Sequence, residues 1–288
     1  MSVAPNRPPR VAIVLGSGGL KCVAGIALLE FLEKEGIEPD LLIGASGGGT
    51  LAAAKAVGLP VARIRSLVEE LDPRLFRRPD WRAVLGLLGV PFFRFDKTSG
   101  LVKPGPVRAL YARTFGDRRL EDLPTKTVLL ATDLDTFEPV SIERGPIADA
   151  VYASATMPVL LPPLRIEGRL LGDAFYSATL PVLEAVKRDA DVIIAFMVEE
   201  LVTDPPRGIW RNYAYAFTRS LAVSQRLQTA LAIQLHHNEI IVIRVLFDRV
   251  IESWDTDQIP EIIDMERRAV AAKRDEILAA VRGDAGPA

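Results

Sequence analysis

Leu41-Leu42-Ile43-Gly44-Ala45-Ser46-Gly47-Gly48-Gly49-Thr50-Leu51-Ala52 is the stretch whose reading decides the fold. An apolar run enters a glycine-flanked serine, and an alanine-rich, helix-like run through Ala53 and Ala54 leaves it. Between a strand and a helix, G-x-S-x-G sets the serine on a sharp elbow, its hydroxyl presented at the carboxyl end of the strand. Such an elbow crowds its neighbours, which accounts for glycine at 44 and 48. The plainer alternative is a glycine-rich turn; the strand before and helix after favour a nucleophile.

An elbow serine usually has a histidine base. The two histidines, His236 and His237, are adjacent, between a helical run ending at Leu235 and the strand-like Ile240–Ile243. That position suits a surface loop or helix cap. The base is therefore expected to be a carboxylate, and a Ser–Asp dyad is chemically feasible if the aspartate is partly desolvated. Upstream, Val11–Leu15 runs into Gly16-Ser17-Gly18-Gly19-Leu20-Lys21, followed by a helical pattern through Ala24, Leu28, Phe31 and Leu32. The third glycine of a dinucleotide fingerprint is missing at Lys21, and no phosphate-loop G-K-[ST] is present, which argues against nucleotide binding. What remains is a loop of unencumbered N–H groups at a helix start, backed by the helix dipole and Lys21, suited to holding an oxyanion.

These motifs, in this order, resemble the patatin-like phospholipase family. Gly16–Cys22 is similar to its oxyanion loop, with Ser17 in place of one glycine, Cys22 where glycine is usual, and the donors Gly18 and Gly19 kept. Gly44–Gly48 matches its elbow. Leu171-Gly172-Asp173-Ala174-Phe175 matches its aspartate segment, with Ala174 in the place of a glycine. Alanine resists positive φ and adds a methyl beside the dyad. Thr127–Ile142 and Ala153–Pro158 are similar to further family segments, so the resemblance extends over roughly residues 10 to 280. It implies a three-layer α/β/α sandwich with a mainly parallel central sheet, a histidine-free dyad of Ser46 and Asp173, and hydrolysis of fatty-acyl esters of lipids, of phospholipase A or lysophospholipase type. Acyl transfer, thioester cleavage or polyester depolymerisation would share every catalytic part. A non-catalytic lipid-binding protein is the rival from another class, motivated by Ser17, Cys22 and Ala174.

The chain has 288 residues, 49% apolar and 25% charged, with a net charge of −2. No Gly/Ser- or Pro-rich linker divides it, so one domain is expected over 10–285, with short tails at 1–9 and 283–288. The single cysteine, Cys22, excludes an internal disulfide and reads as a small packed residue. The first apolar run is too short for a signal-peptide core, giving a cytoplasmic expectation. No uncharged stretch reaches the ~18 to 20 residues that span a bilayer, so membrane contact is expected to be peripheral.

The segment 74–97 differs in character. Arg74, Arg77, Arg78, Arg82, Arg94 and Lys97 outnumber Asp80 and Asp96, while Trp81, Val84, Leu85 and Leu88 recur at helical spacing ahead of Val90-Pro91-Phe92-Phe93-Arg94-Phe95. It reads either as a helix packing its apolar stripe on the body or as a lid-like patch lining an acyl pocket and touching anionic membrane. Asp133 and Asp135 read as turn caps. Asp255-Thr256-Asp257-Gln258 lacks the rest of a calcium loop, and no His/Cys spacing suits zinc. No metal, cofactor or nucleic-acid partner is expected, and oligomeric state is not readable. The run 209–235 reads as core packing or an oligomer face. The expected elements are strands 10–15, 41–44, 126–142 (a pair), 164–172, 191–197 and 239–247, with helices 21–35, 48–57, 105–115, 147–155, 181–189, 209–236 and 260–282. Their alternation argues for a parallel sheet with both glycine motifs at its carboxyl edge.

Overall fold

Five consecutive residues of strand β1 (Val11–Leu15) are buried on both faces, and they divide the molecule into layers. Val11, Ile13 and Leu15 join one core with Leu28, Ala52, Ile262 and Ile277; Ala12 and Val14 join a second with Val182, Ala185 and Ala232. A strand apolar on both sides belongs in the middle of a parallel sheet covered by helices. The computed structural model describes residues 7–69, 72–76, 78–200, 208–235, 239–247 and 256–283. Residues 1–6 and 284–288, Arg77, His236, His237 and Asp255 lie outside the described residues.

The remaining strands are β2 (Leu41–Ala45), β3 (Lys126–Asp133), β4 (Pro139–Ile142), β5 (Leu164–Ile166), β6 (Arg169–Asp173), β7 (Val192–Glu200) and β8 (Glu239–Phe247). The helices are α1 (Gly25–Glu35), α2 (Gly47–Ala56), α3 (Val61–Glu69), α4 (Trp81–Leu87), α5 (Gly105–Phe115), α6 (Ile147–Ala155), α7 (Val182–Val186), α8 (Ile209–Leu235), α9 (Ile259–Ala272) and α10 (Arg274–Arg282). Strands β3, β2, β1, β7 and β8 run parallel side by side, while β4, β5 and β6 add antiparallel pairings. The expected three-layer, mainly parallel α/β architecture is present.

One detail of register brings the site together. Leu130 of β3 pairs with Ala45 of β2 on one edge and Ser141 of β4 on the other. The next residue, Ala131, pairs with Val140 of β4 and with Asp173 of β6. Because β4 holds the same edge throughout, β6 takes over the edge that β2 leaves. It runs antiparallel to β3, so the carboxyl ends of β2 and β6 meet head-on, with Ser46 just beyond one and Asp173 ending the other.

Several expectations are corrected. The strand over 164–172 is a hairpin, β5 turning into β6 through Glu167 and Gly168 at φ 49° and 81°, the pair of left-handed residues a tight hairpin turn uses. The helix over 21–35 opens as a 3₁₀ turn, Gly19–Ala24, before α1. The helix over 260–282 is two, α9 and α10, parted at Lys273. Helix α3 follows Pro60, with Val61 and Ile64 buried, and was not expected. In 74–97 the expected stripe packs only in part: Val84 and Leu85 are half-buried, Trp81 and Leu88 are exposed, and Ala83 is the buried residue of α4. Along α8, Ala232 is buried while Ile209, Tyr213, Val223, Leu227 and Leu231 face outward, so core packing accounts for little of that helix.

Candidate active site

The turn from β2 into α2 passes through Ser46 at φ 54° and ψ −125°, a left-handed conformation that a non-glycine residue adopts only under constraint. The constraint is close packing. A side chain on Gly44 would lie 2.4 Å from Gly49 Cα, and one on Gly48 would lie 2.4 Å from the carbonyl oxygens of Leu15 and Gly16. Only glycine fits where the elbow presses on the end of β1. Ser154 of α6 holds the turn from below, its Oγ accepting the Ser46 N–H at 2.9 Å.

Ser46 Oγ donates to Asp173 Oδ2 at 2.9 Å. The two residues are 5% and 3% exposed, so this contact is shut off from bulk water. Asp173 is fixed from every side. Its N–H donates to Thr156 O at 2.8 Å, its carbonyl accepts from Thr132 Oγ1 at 2.7 Å, and its Oδ1 accepts the Phe175 N–H at 2.8 Å. Burial pushes the carboxyl up to about 6, against the partial relief of the Phe175 N–H and the Ser46 hydroxyl. A carboxylate with raised basicity, its second oxygen aimed at a serine hydroxyl, can accept that proton. Ala174 does not disturb the arrangement: it begins a 3₁₀ turn, is fully buried and needs no left-handed φ.

The glycine loop rests against the elbow. A side chain on Gly47 would lie 2.8 Å from Gly19 O and 2.9 Å from Cys22 Cβ. Gly16 and Ser17 spend their N–H groups on Phe196 O at 3.0 Å and Thr179 O at 2.7 Å, and Lys21 donates its own to Gly18 O at 3.1 Å. Among the described residues, no acceptor takes the N–H of Gly18 or Gly19. Gly18 is extended, φ 170°, and Gly19 left-handed at φ 57°. Cys22 is buried behind them, its thiol donating to Gly16 O at 3.2 Å and pushed up by burial to about 12, so it is a packing residue and not a thiolate. The expected residues Ser46, Asp173, Gly16, Gly18, Gly19, Lys21, Gly44 and Gly48 thus lie along adjoining strand ends. Ser154, Thr132 and Thr156 had no role assigned from sequence. Their signals are a polar side chain inside otherwise apolar runs and a place in the segments similar to the family.

Asp133 caps its own turn, Oδ1 accepting from Asp135 N at 2.9 Å. Among the described residues no group of His, Cys, Asp and Glu could hold a metal ion, and no helix is long and apolar enough to cross a membrane.

The family model for patatin-like phospholipases matches residues 13–186, more than half of the chain, including the glycine loop, Ser46 and Asp173. The chain belongs to the patatin-like phospholipase family. Within it, an uncharacterised NTE family protein of Mycobacterium bovis is 27% identical over 218 residues, 74% of this chain and 55% of that protein. A lysophospholipase of Aspergillus oryzae is 28% identical over 198 residues, 69% of this chain and 12% of its own length. The chain therefore spans about half of the mycobacterial relative and a small part of the fungal one. Among solved structures, VipD from Legionella pneumophila superimposes with a TM-score of 0.55 over 93% of this chain and 67% of its own, at 14% identity. That likeness shows a shared fold. The patatin-like segment ends in α7, so β7, α8, β8, α9 and α10 lie beyond the family match.

Proposed function

We propose that this chain is a serine acyl hydrolase that cleaves fatty-acyl esters of lipids, of the phospholipase A or lysophospholipase type, with residues 10–285 acting as one catalytic domain. The observation that carries this reading is the 2.9 Å hydrogen bond from the buried Ser46 hydroxyl to a buried carboxylate whose basicity is raised. The lysophospholipase name of the fungal relative supports the substrate class.

In the first half-reaction Asp173 Oδ2 takes the Ser46 proton as Oγ bonds to the ester carbonyl carbon. The carbonyl oxygen becomes an oxyanion, held by the N–H groups of Gly18 and Gly19. The tetrahedral centre then expels the alcohol, which leaves with the proton from Asp173, and the acyl group stays on Ser46. In the second half, a water gives its proton to Asp173, attacks the acyl-enzyme, and fatty acid departs as the proton returns to Ser46. No histidine takes part. The Phe175 N–H on Oδ1 keeps the proton-accepting Oδ2 directed at Ser46 in both halves.

Hydrolysis of p-nitrophenyl esters and of lysophosphatidylcholine by the wild type and Ser46→Ala, side by side, tests the reading. Fatty acid release that disappears with the serine supports it; equal rates from both proteins, or no release from either, reject it.

A further inference from the structure

Among the described residues, six non-glycine positions hold a left-handed φ. Ser46 is the elbow, Glu167 turns the β5–β6 hairpin, and Asp189 is of a type that tolerates this region. The other three are Phe92, Phe137 and Val159, at φ 72°, 60° and 73°. For bulky and β-branched residues this conformation is a genuine outlier, held only when the surroundings require it. Packing does not repay the strain, because the three side chains are 104%, 60% and 53% exposed.

These tips share the carboxyl end of the sheet with the candidate site. Phe137 sits on the turn that leaves β3, its N–H donating to Asp133 O at 2.7 Å. Lys97 pairs with Asp135 of that turn and so ties the strap carrying Phe92 to it. Val159 lies three residues after Thr156, which holds Asp173, and its carbonyl accepts from Leu101 N at 2.8 Å. Leu101 O in turn accepts from Asp80 N at 2.8 Å, at the foot of α4, where Trp81 is 65% exposed. Exposed basic side chains lie along the same stretch of chain, Arg82 next to Trp81, Arg94 two residues after Phe92, and Lys103 two residues after Leu101. Of the acids nearby, Asp80 and Asp96 are engaged in local turns, Asp80 Oδ1 accepting from Arg82 N at 3.1 Å and Asp96 Oδ1 from Thr98 N at 2.8 Å, Asp135 is paired with Lys97, and Glu138 is exposed beside Phe137.

We infer that this end of the sheet docks on an anionic phospholipid bilayer, with Phe92, Phe137, Val159 and Trp81 entering the headgroup–acyl boundary and Arg82, Arg94 and Lys103 meeting lipid phosphates. Separate apolar points set among cations suit an interface of acyl chains under anionic headgroups, where each apolar side chain finds hydrocarbon and each cation finds an anion. The core of a protein–protein interface is depleted of charged residues, whereas Trp81 and Phe92 have cations as near chain neighbours. The three backbone strains keep the apolar tips out of the protein's own core. Docking here brings the sheet edge that carries the candidate site to the lipid, and in that respect it rests on the acyl-hydrolase reading.

The test is sedimentation of the full chain, carrying Ser46→Ala so that lipid is not consumed, with vesicles of phosphatidylcholine alone or mixed with phosphatidylglycerol. Binding to the mixed vesicles should be at least about tenfold tighter, reflecting roughly fivefold per basic side chain at the surface. Phe92→Gly with Phe137→Gly should weaken it by about tenfold per residue, and the unfolding midpoint should rise because glycine relaxes both strained positions. Equal or negligible binding to both vesicles, unchanged binding by the glycine variant, or a lowered midpoint overturns the inference. So does a dimer that dissociates on the same substitutions, which would make the occupant a second copy. Hydrolysis of soluble p-nitrophenyl butyrate by the wild type separates the two readings. Ester cleavage without vesicle binding defeats docking alone, and binding without cleavage defeats the hydrolase reading alone.

Discussion

Replacing Asp173 with Asn should make the protein more stable and nearly inactive, and the size of the stability gain can be worked from the site. In the folded protein the carboxyl is held at about 6, against an ordinary value of 3.8. A difference of about two units corresponds to about 3 kcal/mol. The sign follows from proton preference: the folded state favours the protonated acid, so its ionisation penalty is absent below the unfolded value, grows as the pH rises from 3.8, and is complete above about 6. Asparagine cannot ionise and escapes the penalty, while its side chain retains an acceptor for the Phe175 N–H and a donor for Ser46. Denaturant titrations should therefore show wild type and variant alike at pH 3.5 and the variant more stable by up to about 3 kcal/mol at pH 8. For a chain of this size that is a shift of roughly 5 to 10 °C in Tm. With the proton acceptor gone, kcat on a soluble ester should fall at least 10²- to 10⁴-fold, the ordinary contribution of a general base. In the wild type, kcat/KM should rise with pH through about 6 and then level, as the base of the free enzyme ionises. A variant that is no more stable at pH 8, or that keeps kcat within about tenfold, would refute the argument.

Two further substitutions test the supports. Ser154→Ala leaves the Ser46 N–H buried without its acceptor, so it should cost about 1–3 kcal/mol in urea denaturation and lower kcat by loosening the elbow; unchanged stability would show that the bond contributes nothing. Glu184→Gln tests the best-connected ion pair among the described residues. Burial alone would raise the Glu184 carboxyl, but Lys187, Arg188 and Ser141 outweigh it and hold it down at about 2. The wild type should therefore be the more stable protein at pH 7, by about 1–3 kcal/mol, and the gap should narrow as the pH falls from 4.5 through 2. A pH-independent gap would contradict that assignment.

The parts of the fold that could be read from the sequence were those whose signals are local. Val11–Leu15 and Leu41–Ala45 are short apolar runs bounded by glycine loops, and that length and punctuation favour buried strands over helices. Helices α5 and α6 match their expected bounds because their apolar spacing and flanking prolines are undisturbed. Ser46 was legible because an elbow forces glycine at 44 and 48, and the contacts at those positions show why. What brings Asp173 to Ser46 was not legible from periodicity. It depends on β6 taking over one edge of β3 where β2 stops, a long-range register with no sequence mark of its own; the motif order supplied the residue and the sheet supplied the reason. The β5–β6 hairpin was missed because its turn is Glu167-Gly168, outside the usual Asn-Gly and Asp-Gly pairs. The exposure of Trp81 and Leu88 ran against their helical spacing. Spacing places apolar residues on one face and says nothing of whether anything covers that face.

The central claim is that Ser46 carries the acyl group, and the most direct measurement is to trap it there. Wild type and Asp173→Asn, mixed rapidly with a long-chain p-nitrophenyl ester, quenched in acid and digested, would be read by mass spectrometry. The account predicts an acyl mass on the peptide containing Ser46 in the wild type, none in Ser46→Ala, and accumulation slowed by at least 10²-fold in Asp173→Asn. An acyl group on any other residue, or product released with no adduct on Ser46, would contradict it.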